Sequence, residues 1–427
     1  MTGFRTAAAS AGIVGVLAAS TLAAAPLEAV PPAQAGLSPV RLAVLTKVLR
    51  DEAAKGATPG AVIAIMRRGK IAYFETIGVR DPASKAPMPR DALFSIASMT
   101  KPMVSVGIMM LHDEGRLVLS DPIGLHLPAM ANMKLGVVKK DAAGKETVET
   151  VAPKRQPTIQ DLLRHTSGIT YGGRGETAIH KLWPASSSAS SMQYTGEEFI
   201  AKLGQTPLLY EPGTAWDYSL SVDVLGQIIE KISGQSLGTF LAARLWQPLG
   251  MVDTGFTVPE AKKDRYALAF ANDPLTGKPQ SVLHASGKAL KFECGGGCGV
   301  STTMDYLRFA QMLFNGGTLD GRRYLSRKTL ELMTTDQLGP QVRANTTSPV
   351  LPTGYGFGLG FAVRTQTGIA EVAGSTGDYN WGGAFGTYFW VDPREQLVVV
   401  YMAAAPGEIR TKLRNLVKNL VLQAIVD

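Results

Sequence analysis

Cysteine is almost missing from this chain: two of its 427 residues, Cys294 and Cys298, both within "ECGGGCG". That scarcity excludes a disulfide-scaffolded mini-domain and a multi-cysteine metal cluster. The C-x-x-x-C spacing is not that of thioredoxin, and no histidine group lies near it to complete a zinc site. A local disulfide and a pair of free thiols both remain open, and neither cysteine is given catalytic work. Histidine is scarce too, five in all: His165 reads as a structural contact, and His112, His126, His180 and His284 show no triad or metal spacing. After the first 25 residues no run is long and apolar enough to span a bilayer. Internal repeats are absent, which excludes a solenoid. Acidic residues are in the minority, 35 against 43 Lys and Arg, but the net charge of +8 is scattered. Its densest cluster, Lys139, Lys140, Lys145, Lys154 and Arg155, lies in a polar stretch without interleaved aromatics. It reads as solvated surface, and no nucleic-acid partner is expected.

What is present suits a large globular protein: 45% hydrophobic and 18% charged residues supply ample core. The N-terminus reads as an export signal over residues 1–35. It has a basic start at Arg5, an Ala-rich apolar run to about Ala25, and an A-x-A cleavage site at Ala33-Gln34-Ala35. A periplasmic or secreted product is expected, with no stable membrane insertion after cleavage.

The remaining chain opens on a helix, "SPVRLAVLTKVLRDEAAKG", with Ser38 as cap, Pro39 in the first turn and Gly56 as stop. Two strands follow, "AVIAIMRRG" and "KIAYFETIGV", hinged at Arg68-Gly69. Helical patterns dominate from about Ser98 to Leu290, with a capping box at Thr158 and Asp161 and an amphipathic helix ending at Gly234. Strands return in "YGFGLGFAV", which alternates like one continuous strand, then in "GTYFWVDP" and "QLVVVYMA", before a closing helix from about Glu408. The fold class is therefore mixed α/β (α+β): an antiparallel sheet built from both ends of the chain and covered by the terminal helices, plus an all-helical lobe. The boundaries fall at 36–92 and 300–427 for the α/β lobe and 93–299 for the helical lobe.

Two serine motifs compete for chemistry. "GQSLG" matches G-x-S-x-G around Ser236, but that motif needs a strand-to-helix turn. Here one helix runs into Gly234 and another leaves, so Gly234 is a helix stop and Ser236 a cap. "SMTK" places Lys101 three residues after Ser98, on the same face of a helix start. A serine hydroxyl needs a neighbour to take its proton, the helix N-terminus favours a developing oxyanion, and Pro102 is tolerated in the first turn. Burial is expected to lower the Lys101 pKa towards that of a useful base.

The stretches "SIASMTKPM", "LLRHTSGITY", "EPGTAWDYSLSVDVLGQIIEKISG", "GVSTTMDYLRFAQML" and "WGGAFGTYFWVDP" follow one another over nearly all of the mature chain. In that order they resemble the serine β-lactamase-like superfamily of class C β-lactamases, D-alanyl-D-alanine peptidases and family VIII carboxylesterases. The resemblance implies a β-lactamase/transpeptidase-like fold with its site between the lobes. It makes Ser98 the acylated nucleophile, Lys101 its partner, and Tyr218 the tyrosine of the family's Y-x-N motif. The backbone N–H groups of Ser98 and Ala384 become the oxyanion hole. Trp381-Gly382-Gly383 falls at the K-T-G strand motif, where the glycines would let substrate approach the strand edge.

Two positions depart from the β-lactamase pattern. Leu220 replaces the asparagine of Y-x-N, and Trp381 replaces the K-T-G lysine that would meet an antibiotic carboxylate. Both changes resemble the family VIII carboxylesterases, whose implied substrate contacts are Trp381, Gly382, Gly383 and Leu220. The expectation is a carboxylesterase acting on small, uncharged acyl esters, with no cofactor and no metal. Alternatives are a β-lactamase or D-amino-acid peptidase, a transacylase, and a non-enzymatic peptidoglycan-binding module.

Overall fold

The computed structural model describes residues 25–285, 287–346 and 350–427; most of the expected export signal lies outside them. The opening helix, Pro39–Ala54, starts where the Ser38 side chain accepts the Arg41 N–H at 3.3 Å. It leads into β1 (Gly60–Arg67) and β2 (Lys70–Gly78). These two turn through Arg68 and Gly69 with φ of 55° and 75°, the pair of positive values a tight two-residue hairpin requires. Four more strands precede the C-terminal third: β3 (Phe94–Ala97), the hairpin of β4 (Leu135–Lys140) and β5 (Glu146–Val151), and β6 (Gly299–Ser301). Short β7 (Thr318–Leu319) and β8 (Arg322–Arg323) are followed by β9 (Tyr355–Phe357), β10 (Ala362–Arg364), β11 (Tyr379–Gly382), β12 (Tyr388–Asp392) and β13 (Leu397–Ala403).

The central sheet is seven-stranded, in the order β2-β1-β13-β12-β11-β10-β9, and antiparallel throughout. Its middle strands are buried on both faces, so their apolar runs are nearly continuous and each face takes alternate residues. Ile63, Ile65 and Val399 pack with Leu42, Leu45, Leu413 and Val417 of the terminal helices. Val62, Ala64 and Val400 face the other way, into the core that includes Tyr306 and Phe309 of the helix Thr303–Phe314. The two ends of the chain thus share one sheet, as the strand patterns predict.

Two local readings change. "YGFGLGFAV" is a hairpin rather than one strand: β9 pairs back on β10, with Ala362 opposite Phe357, around Gly360 at φ 107°. Only glycine takes that conformation readily, and its bare Cα also leaves room for Ser105. The mostly helical middle contains the β4–β5 hairpin, where Lys139 and Lys140 pair with Glu149 and Glu146. Finally, the expected cleavage site lies on a packed segment: Ala35 and Leu37 are buried, and the Val30 N–H reaches the Ile71 carbonyl at 2.9 Å.

The closing helix, Ile409–Leu422, is fixed by a buried ion cluster. Asp378 accepts from Arg364 at 2.7 Å and Lys418 at 3.1 Å, and none of the three side chains is more than 1% exposed. Asp378→Ala would strand two cations in the core, at a cost of about 3–5 kcal/mol in unfolding free energy. Denaturant titration measures this; a loss below about 1 kcal/mol would mean the cluster does not secure the helix.

Candidate active site

Strand β3 delivers Ser98, and several contacts hold it. Ala97 and Ser95 pair with Gly299 and Val300 of β6. The Ser95 hydroxyl bonds both the Tyr266 hydroxyl at 2.7 Å and His284 Nδ1 at 2.6 Å, while His284 Nε2 meets the Phe256 carbonyl at 3.0 Å. His284 is thus a brace behind the strand that leads to Ser98. Ala97 then adopts φ 44°, unusual for a residue with a Cβ, and the chain turns sharply into the helix Thr100–Asp113. Ser98 sits on that turn, just ahead of the helix cap Met99. It is partly exposed between buried neighbours.

Lys101 lies one turn on, 1% exposed. Its amine donates to the Tyr171 hydroxyl at 3.0 Å and to the Gly296 carbonyl at 2.6 Å, and stands 4.4 Å from the centre of the Tyr218 ring. The Tyr171 hydroxyl is 2.9 Å from Ser187 Oγ, which donates to Asp223 Oδ2 at 2.7 Å; the Gly296 N–H donates to Asp223 Oδ1 at 2.8 Å. Because the single Ser187 proton goes to Asp223, Tyr171 must donate to Ser187. The bonds therefore run in one sense from ammonium to carboxylate, and the Gly296 peptide closes the ring.

This arrangement corrects the expected role of burial at Lys101. Burial alone lowers an amine pKa, but Tyr171, Tyr218 and Asp223 outweigh it, and the net direction is upwards. Lys101 is held as a cation. Burial pushes the Tyr171 phenol up to about 12, despite the pull of Lys101, so it stays a neutral donor.

Tyr218 is boxed by aromatic and cationic groups. The Trp381 indole N–H donates to its hydroxyl at 3.3 Å, with ring centres 5.2 Å apart. His165 packs 4.8 Å from it, with Nδ1 bonded to Ser219 Oγ at 3.0 Å. Arg174, exposed at the mouth of the cleft, places its guanidinium 4.9 Å from the same ring.

Ser98, Tyr218 and Ala384 line one cleft, open to solvent, together with Tyr171, Arg174, Gly296 and Phe385. Neither the Ser98 nor the Ala384 N–H is engaged by another group among the described residues. The expected substrate contacts behave differently. Leu220 is fully buried at the start of the helix Ser221–Ser233, and Trp381 is only 4% exposed, so it acts on Tyr218 rather than walling the cleft. The two glycines serve the protein's own packing. A side chain at Gly382 would strike the Arg414 guanidinium, and one at Gly383 would strike the Ile96 carbonyl of β3. Arg414 of the closing helix also donates to the Gly383 and Thr387 carbonyls at the β11–β12 turn, and the Thr387 hydroxyl donates to the Ile96 carbonyl of β3 at 3.2 Å. Ser236 is exposed, caps the short helix Leu237–Leu241, and lies outside the cleft.

Composition alone did not flag Tyr171, Ser187, Asp223 or Gly296. Tyr171 ends the quoted "LLRHTSGITY", and Asp223 follows Tyr218 by five residues, just inside the next helix; only the fold shows that they meet. Among the described residues no group of acidic, histidine or cysteine side chains has the geometry to hold a metal.

This fold and cleft define a serine hydrolase of the β-lactamase kind, and the chain belongs to the Beta-lactamase family, whose model matches residues 45–422. Protein Rv1367c of Mycobacterium tuberculosis is 35% identical over 359 residues, 83% of this chain and 88% of the relative. Esterase EstB of Burkholderia gladioli is 31% identical over 356 residues, 78% of this chain and 82% of the relative. Among solved structures, EstCE1, described as a hydrolase with promiscuous acyltransferase activity, superposes with a TM-score of 0.73 at 25% identity, covering 90% of this chain and 98% of that one.

His165 makes the site acid-sensitive. Burial, reinforced by Lys101 and Arg174, holds its imidazole well below the usual value of 6.5. The unfolded chain therefore takes up the proton first, and stability is lost as pH falls below that value. His165→Asn, which tolerates the positive φ of 57° and can still bond Ser219, should flatten the fall in unfolding free energy between about pH 6.5 and 5. Identical slopes for the two proteins would refute the assignment.

Proposed function

We propose that this chain is an exported serine carboxylesterase acting on small, uncharged acyl esters through an acyl-enzyme on Ser98. The observation that carries the reading is the partly exposed Ser98 hydroxyl, sharing one cleft with the Tyr218 ring and with two unengaged backbone N–H groups, its own and that of Ala384. As Ser98 Oγ attacks the acyl carbon, its proton passes to the Tyr218 oxygen while the Tyr218 hydroxyl proton moves on to the oxygen of the alcohol that will leave, and the two N–H groups receive the oxyanion. The alcohol departs with that proton, leaving the acyl group on Ser98 and Tyr218 protonated as before. A water then attacks, its proton goes to Tyr218 and on to Ser98 Oγ, and the free acid departs. Lys101, kept cationic, steadies Tyr218 while it carries charge, and the Trp381 indole fixes its direction.

The similarity to EstB supports the esterase over the β-lactamase, as does the loss of any lysine from the β11 edge, where Trp381 stands. One observation favours a second reading: the exposed Arg174 guanidinium at the mouth is a cation that a β-lactam carboxylate would meet. Export is proposed from the N-terminal segment alone.

Ser98→Ala should lower kcat for short-chain nitrophenyl esters by more than about a thousandfold, and mass spectrometry should locate the trapped acyl group on Ser98. Full activity in that variant would overturn the reading. Turnover of a chromogenic cephalosporin but not of the esters would replace it with the second.

A further inference from the structure

We propose that the Cys294–Cys298 loop is a positioning element for the catalytic lysine, a disulfide-closed clamp that presents one peptide group to the site. This rests on the reading of Ser98, Lys101 and Tyr218 as the reacting centre. The two cysteines are joined in a disulfide, with Cα atoms 5.2 Å apart and both side chains fully buried. At the middle of the loop, Gly296 spends both of its backbone polar groups on the centre, its carbonyl on the Lys101 amine and its N–H on Asp223. Gly296 and Gly297 also line the cleft.

The sequence of the loop follows from that task. A Cβ at Gly296 would collide with Asp223 and Ser187, and one at Gly295 would lie 2.7 Å from the Val222 carbonyl. Glycine is thus required for the close approach, yet three in succession are the stretch that loses most conformational freedom on ordering. The disulfide removes much of that freedom beforehand. Inside the bridge, the N–H groups of Gly297 and Cys298 both donate to the Cys294 carbonyl, at 3.3 and 3.2 Å. Beyond it, the Gly299 N–H donates to Thr100 Oγ1 at 2.9 Å while β6 pairs with β3. The loop is therefore spliced to the strand and helix that carry Ser98 and Lys101.

Opening the bridge should withdraw the Gly296 carbonyl from Lys101 and so affect the chemical step rather than substrate binding. In the Cys294→Ser/Cys298→Ser double variant, kcat for a nitrophenyl ester should fall by about tenfold or more, with KM changed by no more than about twofold. The alkaline limb of the pH–rate profile should move to lower pH, because the cation loses an acceptor. If the double variant does not fold, reduction of the wild-type protein decides. Activity should fall in step with the appearance of two alkylatable thiols and return when oxidised glutathione takes up the two electrons and the bridge re-forms. Unchanged kcat and pH profile in bridge-free protein would overturn the inference, with the esterase reading intact. Loss of fluorophosphonate labelling at Ser98 in the oxidised wild type would instead sink that underlying reading.

Discussion

A lysine ammonium cannot be buried alone, and most of this site follows from burying Lys101. Removing such a charge from water is costly unless opposite charge and hydrogen-bond acceptors replace the solvent. Here the replacement is a ring of two hydroxyls, one peptide and one carboxylate, contributed by four separate segments of the chain. Each member is itself buried, so each also needs the others. A network of this kind is rigid because a single displaced member leaves several polar groups unsatisfied at once. The rigidity is what a proton-carrying tyrosine requires of its neighbour.

Much of this was readable beforehand, and the parts that were not share a cause. The helix at Pro39–Ala54, the Arg68-Gly69 hairpin, the capping box at Thr158 and the stop at Gly234 all depend on residues a few positions apart. Local patterns reveal such features directly. The hairpin hidden in "YGFGLGFAV" escaped because alternation looks the same whether a strand continues or folds back; only the room around Gly360 separates the two. Ser98, Lys101 and Tyr218 were marked by motif, whereas Tyr171, Ser187, Asp223 and Gly296 were not. Their meaning arises from contacts across 16 to 195 positions, which no spacing rule encodes.

The direction of the Lys101 shift is the most instructive reversal. Burial considered by itself predicts a neutral amine, ready to accept a proton. The surroundings decide otherwise: two phenols and a carboxylate converge on the amine and outweigh its loss of water, so the shift is upwards. The division of labour changes with it. In the proposed reaction a charged Lys101 leaves the Ser98 proton to Tyr218, whose ring also has the Arg174 guanidinium over it.

The two departures from the β-lactamase pattern then acquire a common physical meaning. Trp381 and Leu220 were expected to touch substrate, yet both are buried, and Trp381 contacts Tyr218. Tryptophan at 381 exchanges a cation aimed into the cleft for an N–H aimed at the tyrosine oxygen and a ring packed on its face. Leucine at 220, fully buried at the start of the helix Ser221–Ser233, adds no polar group to a core in which Lys101 has its acceptors in Tyr171 and the Gly296 carbonyl. An amide there would bring buried polar atoms that each need a partner. The site has thus moved its polar recognition away from the β11 edge and inwards, around the lysine and tyrosine. What remains facing that part of the cleft is a pair of backbone N–H groups, with the Arg174 guanidinium as the cation at its mouth.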